Sequence, residues 1–96
     1  VYNYPNPFTT STTFMFEHNR PGDDLRVTLR IFTVSGKLVK SIFSTINNPG
    51  NRSFELNWDG TDDFGNKIGR GTYIYQLEVK DSNGNRQSAL QKLVKL

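Results

Sequence analysis

The chain has no cysteine, one histidine, one methionine and no apolar run approaching 18 residues. Without cysteine there is no disulfide, no thiolate zinc site and no cysteine nucleophile in this segment. The missing apolar run excludes a helical membrane span. No block of five like charges occurs, so there is neither an acidic tail nor a basic arm. Helical periodicity is nearly absent. An initiator Met and a charged-then-apolar leader are missing too, since the sequence starts at Val1, and this reads as a processed or excised piece of a longer protein. An extracellular address stays open, because an exported domain does not need disulfides. Length allows a single domain, residues 1–96. A chain this short buries roughly 60–68% of its unfolded surface, enough for one modest core and no deep cleft.

What is present is aromatic and alternating. Seven Phe, four Tyr and one Trp supply large areas to a small core. Leu25, Val27, Leu29 and Ile31 alternate with Arg26, Thr28, Arg30 and Phe32, the period of a strand with one buried face. Val34-Ser35-Gly36 breaks that run and Lys37 to Ile46 resumes it, so the two segments form a hairpin with Gly36 at positive φ. Asn47 to Asn51 is a loop of turn formers. Phe54, Leu56 and Trp58 share one parity against Ser53, Glu55 and Asn57. Residues 59–71 hold Gly60, Gly65, Gly69 and Gly71, too many glycines for a strand interior. Tyr73, Tyr75, Leu77 and Val79 then face one way, and Thr72, Ile74, Gln76, Glu78 and Lys80 the other. Asn83-Gly84 suits a type I′ turn into a last strand from Arg86 to Leu96. Upstream, Thr13 to His18 alternates Phe14 and Phe16 against Met15 and Glu17, and the proline-rich Val1 to Phe8 fits an edge segment. Turns recurring every 8–12 residues or so predict an all-β, antiparallel immunoglobulin-like β-sandwich of about seven strands. Its core is expected to be Leu29, Ile31, Phe54, Leu56, Trp58, Tyr73, Tyr75 and Leu77, joined by Phe8, Phe14 and Phe16.

The net charge of +3 is unevenly spread, with Arg26, Arg30, Lys37, Lys40 and Arg52 set against Glu55 between residues 25 and 58. These cations are not contiguous. They read as a solvated sheet face whose stems cover apolar surface, because a nucleic-acid stripe needs denser charge with exposed aromatics between. Neither nucleic acid nor direct membrane insertion is expected.

Candidate chemistry is sparse. His18 leads into Asn19-Arg20-Pro21-Gly22 and reads as a residue beside a turn, since a general base needs a nucleophile and an orienting carboxylate within reach. Asp59, Asp62 and Asp63 lie in an oxygen-rich loop, but the alternate-position spacing and terminal Glu of a calcium loop are missing. No metal site is therefore expected, although these three residues would supply one; Asx-turns that fix a glycine-rich loop are the competing reading. No phosphate-binding glycine loop or nucleophile elbow occurs, and no cofactor is implied. The segment alone reads as non-enzymatic.

Three stretches carry a resemblance. Asn3-Tyr4-Pro5-Asn6-Pro7-Phe8, Ile31 to Lys40, and Trp58 to Gly65 with Gly71-Thr72-Tyr73-Ile74-Tyr75 resemble the C-terminal sorting domains of the type IX secretion system. The same framework resembles the immunoglobulin-like domain of flagellar hook-capping proteins. The ending Lys92-Leu93-Val94-Lys95-Leu96 is similar to the sorting domains' C-terminal motif, and Phe14 to Leu25 resembles the branch carried by the system's surface sortase, a gingipain-like cysteine peptidase of Bacteroidota. The resemblance implies a non-catalytic targeting and docking domain, exported and held at the outer-membrane surface by an outer-membrane shuttle protein and the translocon. A peptidase domain would then lie upstream. The docking residues expected are Gly71, Tyr73 and Tyr75, supporting a terminal strand around Leu90 to Leu96 whose end, Lys92, Leu93, Val94, Lys95 and Leu96, offers unpaired backbone donors. That strand could pair with a partner's sheet edge or simply complete its own sheet. Two other parents stay open, an ordinary secreted cargo protein and a structural spacer of the hook-capping type.

Overall fold

The computed structural model describes residues 2–17, 24–46, 53–81, 84 and 86–96. Seven strands follow in order: β1 (Tyr2–Tyr4), β2 (Thr12–Glu17), β3 (Leu25–Thr33), β4 (Leu38–Ile46), β5 (Ser53–Trp58), β6 (Gly71–Asp81) and β7 (Arg86–Lys95). They pair antiparallel into a three-stranded sheet, β1-β2-β5, and a four-stranded sheet, β4-β3-β6-β7. This is the all-β sandwich that the alternation predicts. Among the described residues no helix is long and apolar enough to cross a membrane.

The core follows from the pleat. Leu25, Val27, Leu29 and Ile31 on β3 and Tyr75 and Leu77 on β6 are buried on one face of the larger sheet, and the register sets Leu29 against Leu77 and Ile31 against Tyr75. The smaller sheet answers with Phe14 and Trp58. Phe14 meets Tyr75 edge-on at 4.7 Å, and Phe8 lies 5.5 Å from Trp58, separations at which tilted rings attract. Leu56 and Tyr73 are half-buried against this cluster. Leu93, expected at a docking surface, is instead fully buried among them. The side chains of Phe16 and Phe54 lie outside the described set, as do His18, the 47–52 loop and the turn residues flanking Gly84.

Two glycines are required by geometry. Gly36 (φ 94°) closes the β3–β4 hairpin with its N–H on the Thr33 carbonyl at 2.9 Å. Gly60 (φ 76°) is buried, and a Cβ there would stand 3.3 Å from the Phe8 ring and 3.5 Å from the Thr10 carbonyl. Most L-residues avoid that left-handed region, so Gly60 is what lets the 59–71 loop fold down onto Phe8.

Candidate functional site

The proline-rich N-terminal segment was expected at an edge, and it closes two. β1 borders the smaller sheet, pairing Tyr2 with Met15 and Tyr4 with Thr13. The chain then crosses to the larger sheet, where Phe8 bridges Lys95 in parallel. The Phe8 N–H donates to the Val94 carbonyl at 3.0 Å, and the Leu96 N–H donates to the Phe8 carbonyl at 2.8 Å. Next to this bridge the Asn6 amide acts as a further peptide group. Its Nδ2 donates to the Lys92 carbonyl at 3.3 Å, and its Oδ1 accepts the Val94 N–H at 3.0 Å. Asn6 is held in turn by the buried Asn3, whose Oδ1 accepts from Asn6 Nδ2 and whose Nδ2 donates to Thr12 Oγ1. The Thr12 hydroxyl in turn donates to the Pro5 carbonyl at 2.9 Å. The Asn3 to Phe8 motif thus locks the end of β7.

The lock fixes where each expected docking residue sits. Lys92 and Leu96 are exposed and Val94 is half-buried. Lys95 packs its ammonium 5.7 Å from the Phe8 ring centroid and also donates to the Thr9 carbonyl. Gly71 opens β6 opposite Lys95, Tyr73 opposes Leu93, and Tyr75 opposes Gln91. The Tyr73 hydroxyl donates to the Gly69 carbonyl at 2.8 Å. Tyr75 is buried, and that burial pushes its phenol up to about 12.

In an antiparallel pair, successive residues turn their backbone groups alternately toward and away from the partner. The bonds to Asn6 and Phe8 show that the even-numbered residues of β7 face away from β6. The same alternation turns the N–H and C=O of Arg86, Ser88 and Leu90 outward. Among the described residues no segment pairs with that half. The chain end, expected to offer unpaired donors, is therefore the closed half of the strand, and the open half lies before it. Sequence periodicity could not show this, because the closing bonds join residues 86 and 88 positions apart.

The acidic loop closes the start of the sheet's opposite edge, at Val39 and Ser41. Asp63 accepts the Ser41 N–H at 3.1 Å on Oδ1, and its own N–H donates to the Val39 carbonyl. Asp62 Oδ1 takes the N–H groups of Phe64 and Asn66, both at 2.9 Å. Asp59 Oδ1 accepts the Thr61 hydroxyl at 2.6 Å and the Thr61 N–H at 3.2 Å. The hydroxyl bond is the main reason the Asp59 carboxyl lies below its ordinary 3.8. Each carboxylate is engaged with backbone, and no three acidic or histidine groups among the described residues are placed to share a metal ion. Between the sheets, Lys40, Ile42, Trp58, Asp59 and Thr61 border a shallow depression of about 410 Å³.

Seven strands in two antiparallel sheets with the chain end tied down define an immunoglobulin-like sandwich. The chain belongs to the FlgD Ig-like domain family, whose model matches residues 5–85. It is similar to part of the dimeric latent PorU from Porphyromonas gingivalis, at 35% identity and a TM-score of 0.86, covering 99% of this chain and 9% of that one. The hook-capping FlgD from Xanthomonas campestris shares the fold at 22% identity and a TM-score of 0.67, over 93% of this chain and 60% of the other. PorZ, an essential surface component of the type-IX secretion system of P. gingivalis, shares it at 20% identity and 0.52, over 99% of this chain and 11% of its own. No curated protein sequence matches the chain.

Proposed function

We propose that this domain is the non-catalytic docking module of a type IX secretion protein, with a surface sortase of the PorU kind as its parent. In that role it guides export and then holds the parent at the outer membrane through a shuttle protein and the translocon. The observation that carries the reading is the full-length likeness to the PorU segment at 35% identity. It favours a sortase parent over ordinary secreted cargo. The edge position of β7 agrees, because a strand at a sheet edge can receive a partner's strand by main-chain pairing. Gly71, Tyr73 and Tyr75 on β6 are the strand's floor, and Lys92, Val94, Lys95 and Leu96 its locked end.

The test removes residues 1–96 from the parent in its own cells and follows the parent through fractionation. It should disappear from the outer-membrane surface. A parent that still arrives and stays there overturns the reading. The match of residues 5–85 to the FlgD Ig-like family favours one alternative, a structural spacer in a hook-capping protein. For that parent the same deletion would stop hook growth and leave surface proteins untouched.

A further inference from the structure

The open half of β7 has a second feature that the locked half lacks. In register, Arg26 of β3 faces Lys80 of β6, and Lys80 faces Arg86 of β7. Three cations therefore stand directly opposite one another on neighbouring strands, about 4.8 Å apart strand to strand. Like charges placed this way destabilise a sheet. No side-chain partner relieves any of the three among the described residues. The remaining outward positions of the four-stranded sheet add Arg30 and Lys92 against one acid, Glu78. Farther along β7 on the same face lies Leu90, a leucine 67% exposed on an edge strand. Between Arg86 and Leu90 sits Ser88, whose N–H and C=O point out of the sheet. Glu78 is diagonal to Arg26 and Arg86 and two residues from Lys80 on this face, and a like-charge row with no ion pair among the described residues favours a site completed from outside.

We infer that the Arg86–Leu90 edge of β7 receives an extended acidic strand of a partner protein. The inference rests on the docking reading above and names, within it, the half of the strand and the chemistry of its occupant. Main-chain bonds to Arg86, Ser88 and Leu90 extend the four-stranded sheet by one strand. A carboxylate opposite Arg86 completes the row of cations, and an aliphatic side chain covers Leu90. Because side chains on one face recur every second residue, the acid and the aliphatic residue stand four positions apart, and a second acid two positions further meets Lys92.

A second copy of this chain fits poorly, since β7 against β7 would bring one cation row against another. The charges that exclude a copy are the ones that admit an acidic strand. An anionic lipid surface would satisfy the cations but has no backbone for Ser88.

Ser88→Pro separates these cases. Proline removes the outward N–H and leaves the ladder to β6 intact, a setting in which an edge strand tolerates it. The isotope-labelled 96-residue chain is titrated with a capped peptide, Glu-Thr-Ile-Thr-Thr-Thr-Glu, and with a control carrying lysine for both glutamates, and amide shifts are followed by NMR. The glutamate peptide should perturb Arg86, Ser88 and Leu90, and the lysine peptide should not bind. Ser88→Pro should weaken binding by about tenfold or more, the loss of roughly 1.4 kcal/mol, with its thermal melt near that of the parent chain. Arg86→Glu, a surface change, should abolish the preference for the acidic peptide, and salt should weaken the complex. Equal binding of the two peptides, no binding, shifts confined to Lys92–Leu96 or β4, or self-association without peptide would overturn the inference. So would binding to phosphatidylglycerol vesicles that Ser88→Pro leaves unchanged. In cells, release of the parent by deletion of residues 1–96 but not by Ser88→Pro would keep the docking reading and sink this one. Retention after the deletion would sink the docking reading, and the titration would still decide what the edge binds.

Discussion

The two halves of β7 pair with the same neighbour and differ in almost everything else. From Lys92 to Leu96 the outer backbone is bonded to Asn6 and Phe8, and Leu93 is fully buried beneath it. From Arg86 to Leu90 the outer backbone has no partner strand among the described residues, and four of the five side chains are exposed. The difference shows that a sheet edge can be closed without another strand. An amide side chain offers one donor and one acceptor at nearly peptide spacing, and Asn6 uses both on β7. Asp63 does half as much for β4, supplying an acceptor from its side chain and a donor from its backbone. An unpaired edge invites association, so an edge closed at one end and charged at the other restricts pairing to one place and to one kind of partner.

The largest effects are expected at the closed end. Phe8→Ala removes a buried ring that touches Trp58 and Lys95, and should cost about 3–5 kcal/mol. Urea melts showing a loss under about 1 kcal/mol would mean that the N-terminal segment does not close β7. A matched pair then compares the halves with one residue type. Leu93→Ala should cost about 2–5 kcal/mol through lost burial and a cavity, whereas Leu90→Ala should stay within about 0.5 kcal/mol, as exposed substitutions do. Similar losses at both positions would erase the contrast.

Asn6→Ala should have a smaller effect, about 0.5–1.5 kcal/mol, since water can replace part of what the amide supplies. Its signature is local. Hydrogen exchange at the Val94 amide should accelerate, while exchange at Ser88, already without a strand partner, should not change. Acceleration spread along the whole of β7 would mean that Asn6 holds the sheet and not merely its end.

The sequence carried the strands because alternation is a local signal. Leu25 to Ile31 and Tyr73 to Val79 each alternate, and the structure buries Leu25, Val27, Leu29, Ile31, Tyr75 and Leu77 and half-buries Tyr73 and Val79 on the inner face. The ending gives no such answer. Leu93, Val94 and Leu96 are apolar on both parities, so nothing local says that Leu93 belongs to the core. The Asx arrangement of the acidic loop was legible for Asp59 and Asp62, whose partners lie two to four residues on. It was not legible for Asp63, whose partner Ser41 is 22 positions away. The cation row was hidden for the same reason: Arg26, Lys80 and Arg86 occupy polar positions of three strands, and only the sheet order sets them side by side.

Where the two halves meet no effect is expected near neutrality, and a difference opens only at high pH. Tyr75 faces Gln91 across the ladder and points into the core against Phe14. Burial disfavours the phenolate, so the folded phenol titrates near about 12 instead of its ordinary 10.0. As pH rises through 10 the unfolded chain releases this proton and the folded chain keeps it. Stability that is complete below pH 10 should therefore fall across the window to about 12 and level off above it. Tyr75→Phe keeps the ring and removes the titration. Urea midpoints for the chain and for the variant should agree near neutrality and diverge above pH 10, with the variant falling less steeply. Every other group is common to both proteins, so the difference between the curves isolates Tyr75. Parallel curves would place its hydroxyl in water, and the boundary between the closed and open halves of β7 would then be wetter than the packing of Tyr75 against Phe14 implies.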